Sequence, residues 1–305
     1  MKKMRAAAAI RTNKWTDEER RLLAVLQPVF GRDIYVVFHD RPDDLTLPVP
    51  VVDISSAWVE SRSLTVVPDW GWRCGDYFYY ALRSAVPEYD QYWLIEPDVY
   101  FTGPAQSFFA AFKDAPEDVL GYKFGPYGRD IRFARGLPGV AHYRSIFAMT
   151  RLSGRAVDRL FLQRQKLSQQ TVRTPTYPND EIFVCSMAAK DEKLSCGQLE
   201  TYAPDWFAGV QFATDPDLLI DEVAADCPEG RVLHPVRSKD AFKKAVAKRL
   251  SGNASIAIKL RKSLDCLSLT DLTEIGDMAS AEIHSTLNRL YLKSVRHGRR
   301  TTGRK

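Results

Sequence analysis

Five cysteines in 305 residues, none of them in a Cys-x-x-Cys pair, leave one unmatched in any pairing. That argues against a disulfide framework and a cysteine zinc site, and for a reducing compartment. Long apolar runs are also missing. Nothing approaches the roughly 20 residues that a membrane-spanning helix needs. The apolar run 6–10, near the basic start, is too short for the core of a secretion signal. A cytoplasmic protein is the expectation. No internal repeat and no low-complexity block is present. Apolar residues are 45% and charged residues 27%, an ordinary globular composition, and the length suits one large domain or two small ones.

Charge is unevenly placed. Lys and Arg number 43 against 38 Asp and Glu, a formal +5. From Asp240 onward there are 14 basic and 6 acidic residues, so the first 239 carry 29 basic against 32 acidic. A slightly acidic body is a poor partner for nucleic acid. From Thr286 to Lys305 there are seven basic residues and no acid, interleaved with Leu287, Leu290, Tyr291 and Val295. Peripheral contact with an anionic membrane is one expectation for this end, and a solvated tail or packing on the domain is the other.

The pattern along the chain alternates. Thr16 is placed to cap a helix over 17–27, with acids in its first turn. Residues 33–40 read as a buried strand, and 49–54 and 64–67 as two more. A helix begins at Asp76 and stops before Pro87. Strands are expected at 91–95, 119–124 and 143–149, and helices at about 105–113, 153–169 and 180–190. Residues 125–140, with four Gly and two Pro, form a long irregular loop. Residues 232–235 look like a strand end. Helices follow at 239–251, 254–264 and 270–296, with a frayed charged end at 297–305. The fold class is therefore α/β, with domains at 1–238 and 239–305.

The most specific segment is the strand 91–95 running into Glu96-Pro97-Asp98-Val99-Tyr100-Phe101-Thr102-Gly103. Ligands of α/β sheets sit at the carboxyl ends of strands. Side chains at i and i+2 of an extended chain share a face. Two carboxylates so placed make a hard-oxygen site for Mg²⁺ or Mn²⁺, a metal that usually carries phosphates as its other ligands.

With the preceding helix Gly75-Asp76-Tyr77-Phe78-Tyr79-Tyr80-Ala81-Leu82-Arg83, this segment resembles the acid-x-Asp motif of GT-A glycosyltransferases. The usual form is Asp-x-Asp, and here the first acid is Glu96. His234-Pro235-Val236-Arg237 is similar to the late His-Pro segment that gives many such enzymes a third metal ligand. Asn179-Asp180-Glu181 opens a helix where the family often places an acceptor-side carboxylate. The resemblance covers about 33–238. It implies a Rossmann-like mixed sheet flanked by helices, with a C-terminal helical extension. It further implies a nucleotide-sugar donor, a glycan or lipid-linked acceptor, a place in polysaccharide biosynthesis, and Mn²⁺ or Mg²⁺ held by Glu96, Asp98 and His234. Asp40, Arg73 and Asp76 would meet the nucleotide sugar together with Glu96 and Asp98. Asp180, then Glu181, would be the catalytic carboxylate.

Plainer readings stand beside these. The E-P-D triplet also suits a turn with solvated acids, His234 a satisfied histidine, and Asp180 a helix cap. Trp206 and Phe207 would line an acceptor sugar or pack in a core. A nucleotidyltransferase of similar fold is the enzymatic alternative, but the segment after the first predicted strand, His39-Asp40-Arg41-Pro42-Asp43, lacks the glycines of its nucleotide loop. A non-catalytic carbohydrate-binding or scaffold protein is the other. Paired-carboxylate hydrolysis fits less well, because two acids on one strand end are too close to flank a scissile bond.

Overall fold

The computed structural model describes residues 4–128, 132–252 and 266–301, with side chains throughout except at 250–252 and 286–301. They fall into two units. The first runs to Ala213 and takes in Pro228–His234. The second comprises Thr214–Cys227 and the chain from Pro235.

The first unit begins with β1 (Ala6–Thr12), α1 (Asp17–Phe30), β2 (Ile34–His39), β3 (Val51–Ile54) and α2 (Ser56–Ser61). Then come α3 (Trp70–Arg73), α4 (Asp76–Ala85), β4 (Gln91–Ile95), β5 (Tyr100–Phe101) and α5 (Gln106–Ala110). The rest are β6 (Val119–Pro126), β7 (Tyr143–Ser153), α6 (Gly154–Ser168), α7 (Asp180–Lys190), β8 (Cys196–Gln198), α8 (Leu199–Tyr202) and α9 (Pro204–Phe207). Seven strands form one sheet in the order β3-β2-β1-β4-β7-β6-β8. Only β7 runs against the others. This is the expected mixed α/β sheet with helices on both faces.

The centre of that sheet was not expected. β1 contains the run 6–10, read from the sequence only as too short for a secretion signal, whose alanines carry little strand propensity. Ala7, Ala8, Ala9 and Ile10 are fully buried. Ala7 and Ala9 face the core with Tyr77, Leu82, Leu160 and Phe183. Ala8 and Ile10 face Leu22, Leu26 and Phe108. A central parallel strand is covered on both sides. Conversely, the run 64–67 is no strand. Leu64 and Val67 are buried, and the Thr65 N–H donates to Ser168 Oγ at 3.0 Å. Apolarity there reports burial under a helix.

Helix α1 starts with a full capping box, Thr16 and Glu19 satisfying each other's backbone N–H groups. Leu22 and Leu26 bury its inner face, each worth about 2 kcal/mol of transfer free energy.

The second unit holds β9 (Leu218–Leu219), α10 (Ile220–Asp226), β11 (Val236–Arg237), α11 (Lys239–Gly252) and α12 (Leu269–Thr301). A two-residue strand of the first unit, β10 (Val232–Leu233), precedes β11. Phe242, Val246, Ala247, Ile275 and Ala279 form the second unit's small core. Lys243 Nζ pairs with Asp271 at 2.9 Å. The helix expected at 254–264 lies outside the described residues. α12 extends through Thr301 rather than fraying from 297. Among the described residues no helix is long and apolar enough to cross a membrane.

Candidate functional site

Strand register builds the site. Ile10 pairs with Ile95 in the parallel β1–β4 ladder. The next residue on each strand is therefore Arg11 and Glu96, side by side at the carboxyl end. The Arg11 Nη2 forms an ion pair with Glu96 Oε1, and Nη1 reaches Asp180 Oδ2 at 2.9 Å. After Glu96 the chain turns, the Val99 N–H donating to the Glu96 carbonyl at 3.1 Å. This places Asp98 beside Glu96.

His234 arrives by a different route. β10 pairs antiparallel with β5, Leu233 opposite Tyr100. Thr102 N–H donates to Arg231 O at 2.8 Å and Gly230 N–H donates to Thr102 O at 2.9 Å. The residue after Leu233 is thereby carried to the acids that precede Tyr100. His234 Nε2 lies 3.4 Å from Glu96 Oε2 and 3.4 Å from Asp98 Oδ1. Its Nδ1 lies 2.6 Å from the Ala213 carbonyl. A carbonyl only accepts, so Nδ1 carries a proton, and Nε2 is the nitrogen that faces the carboxylates. A bare lone pair between two carboxylates is repulsive. Either a proton or a cation resolves it. Burial disfavours the imidazolium, but Asp98 and Glu96 outweigh that and push its pKa up to about 10.

Glu96, Asp98 and His234 each offer an atom within 4.8 Å of the others. That spread fits three ligands around one ion at metal–oxygen distances of about 2.0–2.6 Å. Two carboxylates and one imidazole are a donor set that Mn²⁺ accepts. The Nδ1–carbonyl hydrogen bond is the outer contact that commonly orients a ligating histidine. Burial works against the charge on Glu96, yet Arg11 and His234 hold its pKa below the usual carboxylate value.

Asp180 and Glu181 open α7, whose cap is Asn179, accepting from Ile182 N–H at 3.3 Å. Asp180 is buried. Its Oδ2 accepts from Arg11 and from Gly75 N–H, 2.9 Å each, and its Oδ1 from Glu181 N–H at 2.8 Å. Burial pushes its pKa up to about 7, against the pull of Arg11. Glu181 is more exposed, 15% against 6% for the two side chains. Its Oε2 accepts from Arg144 at 2.8–2.9 Å. Burial raises its pKa, with Arg144 opposing and the nearby Glu96 charge adding.

Three residues expected to meet the nucleotide sugar have protein partners here. Asp76 is fully buried, its two oxygens taken by Arg164 at 2.7 Å each and by the Tyr80 hydroxyl at 2.9 Å. Through Arg164 it ties α4 to α6. Arg73 spends its donors on Asp69 and the Thr174 carbonyl and lies over Phe133. Asp40 stays exposed at the end of β2, in a positive-φ turn with φ 53° and beside His39 Nε2 at 3.1 Å. Among the described residues no ion pair joins it to Glu96, Asp98 or His234. Trp206 and Phe207 pack with Phe101, Phe108 and Tyr122 in the core, which removes them as a sugar platform.

No protein family matches this chain, and no curated protein does. Solved structures do. A candidate glucose-1-phosphate thymidylyltransferase from Bacillus anthracis, in complex with a sucrose, is 7% identical; 63% of this chain covers 86% of that one at a TM-score of 0.37. Mouse xyloside xylosyltransferase 1, apo form, is 9% identical, with 75% of this chain, 97% of that one and a TM-score of 0.39. A glycosyltransferase involved in glycosylation of the major capsid of PBCV-1 is 10% identical, with 54%, 68% and 0.29.

Sequence reasoning passed over Arg11. Its signal was available: an apolar run ending in a charged residue, the same form as 91–96. The alanines of β1 concealed it.

Proposed function

We propose that this chain is a metal-dependent glycosyltransferase, moving a sugar from a nucleoside diphosphate donor to a glycan or lipid-linked acceptor. The observation that supports this best is the convergence of Glu96, Asp98 and His234 at the carboxyl end of a central parallel strand. Glu96 and Asp98 set two carboxylates beside one imidazole, a set that a divalent cation can bind. A bound Mn²⁺ or Mg²⁺ would supply charge neutralisation for a leaving nucleoside diphosphate. Glu96, Asp98 and His234 hold and orient that ion. Glu181 meets the acceptor hydroxyl: as general base if the anomeric centre inverts, as a positioning group if it is retained. It is preferred to Asp180, whose oxygens already accept three internal N–H groups. Asp40, exposed at the end of β2, is proposed to meet the donor's nucleoside. The basic end from Thr286 is proposed to rest on an anionic membrane, read by co-sedimentation with phosphatidylserine vesicles.

The test is thermal denaturation with UDP and GDP, with and without Mn²⁺, on the native chain and on Asp98→Asn. A ligand that binds only the folded state raises its stability by mass action. A shift that requires Mn²⁺ and disappears in Asp98→Asn supports the reading. No shift with any nucleoside diphosphate overturns it in favour of a non-catalytic binding protein. Release of pyrophosphate rather than nucleoside diphosphate during turnover overturns it in favour of nucleotidyl transfer.

A further inference from the structure

The guanidinium of Arg11 lies between two groups that the sequence keeps far apart. On one side is Glu96 of the cation-facing cluster, and on the other is Asp180 at the first turn of α7. Arg11 is 8% exposed and sits 5.7 Å from the centre of the Phe78 ring. Its fork spends one terminal nitrogen on each carboxylate. A lysine, with one ammonium on a flexible stem, has no such preset fork.

Gly75 makes the arrangement possible. A Cβ there would stand 1.5 Å from Arg11 Nη1 and 2.3 Å from Asp180 Oδ2. The bare backbone instead donates its own N–H to Asp180 at 2.9 Å. Asp180 in turn accepts from the Glu181 N–H, so what fixes Asp180 also fixes the start of the helix that carries Glu181.

We infer that Arg11 is a positioning residue: it sets the distance between Glu96 and the α7 carboxylates by bridging Glu96 to Asp180 across Gly75. Arg11 need not touch a substrate to do this. The inference rests on the transferase reading for its catalytic consequence, but the bridge itself does not.

Two measurements test it. The first needs neither metal nor substrate. The ionisation of Asp180 is followed by NMR of γ-¹³C-aspartate in the whole chain, with the signal assigned by its loss in Asp180→Asn. The charged and titratable groups around Asp180 are Arg11, Glu181, Asp76, Cys74 and Cys185. Arg11 is the cation among them that donates to it. In Arg11→Met the midpoint rises by about a pH unit or more, because the favourable charge is gone. Should Arg11→Met fail to fold, Gly75→Ala carries the same reading, since the added methyl separates the two groups. An unchanged midpoint overturns the bridge.

The second measurement is turnover. In Arg11→Lys the kcat for transfer drops about a hundredfold, the scale expected for ångström-level misplacement. Mn²⁺ affinity, read by electron paramagnetic resonance, falls by much less than kcat, and acceptor KM stays near its native value. Native kcat in Arg11→Lys overturns the positioning role. Absence of Mn²⁺ binding or transfer in the native chain overturns the transferase reading, and the NMR measurement then decides the bridge alone.

Discussion

Arg164 and Arg11 both meet carboxylates inside the first unit, but the two clusters differ in how their groups are matched. Arg164 and Asp76 are each fully buried and pair through two hydrogen bonds of 2.7 Å. The remaining Arg164 nitrogen, Nη1, donates to the Pro178 carbonyl at 3.0 Å, and the guanidinium lies 3.7 Å over the Phe183 ring. One cation meets one anion. Around Arg11, one cation meets Glu96 and Asp180, with Asp98 and the His234 nitrogen close by. The first cluster is closed and holds elements together. The second brings two carboxylates and an imidazole within reach of one point, and that set of oxygen and nitrogen ligands is what makes it a candidate for a cation. Burial and an arginine partner do not by themselves mark a site. A convergent set of possible metal ligands does.

The contrast can be broken most forcefully at Asp76. Asp76→Asn leaves Arg164 buried beside a neutral amide and is expected to cost about 3–5 kcal/mol of stability, read by urea denaturation. A loss of nucleotide affinity without loss of stability would instead put Asp76 back at a binding site. Asp98→Asn tests the other cluster. Mn²⁺-dependent nucleotide affinity is expected to fall about a hundredfold, some 2.7 kcal/mol, and metal-free stability at neutral pH to fall as well, because the His234 imidazolium loses one of the two carboxylates that hold it. Calorimetry on the metal-free and Mn²⁺-loaded chain separates the two.

Asp118 sharpens the comparison from the closed side. It accepts from Ser153 Oγ at 2.7 Å and Ser195 N–H at 3.0 Å and pairs with Arg155. Burial opposes its charge, but these partners leave its pKa below the ordinary value. A depressed carboxylate stabilises the fold above its unfolded pKa, and that contribution is lost as the pH falls through the folded one. Asp118→Asn should therefore cost about 1–3 kcal/mol at neutral pH, with the gap to the native chain narrowing below about pH 4. A gap independent of pH would show that shape, not charge, matters there. The smallest effect is expected at Thr16→Ala, about 1 kcal/mol from the lost cap of α1, visible as a modest drop in melting temperature.

Much of this arrangement could be read from the chain alone. The strand at 91–95, the acids after it, the helix from Asp76 and the capped start of α7 all carry local signals. Three features do not. β1 is written in alanine, whose small side chain suits a strand covered on both faces but gives no periodicity to read. Asp76 lies beside the motif in sequence, yet its helix turns it inward to Arg164, a contact set by how α4 and α6 meet. The approach of His234 to Asp98 depends on a ladder of two residue pairs, Val232–Phe101 and Leu233–Tyr100, too short to leave a pattern.

That short ladder also orders events during synthesis. The carboxylates at 96 and 98 leave the ribosome long before the imidazole at 234. A nascent chain still short of β10 carries the pair of acids, but not the three-group cluster. The meeting of two carboxylates with one imidazole is therefore reserved for a chain that has emerged at least that far.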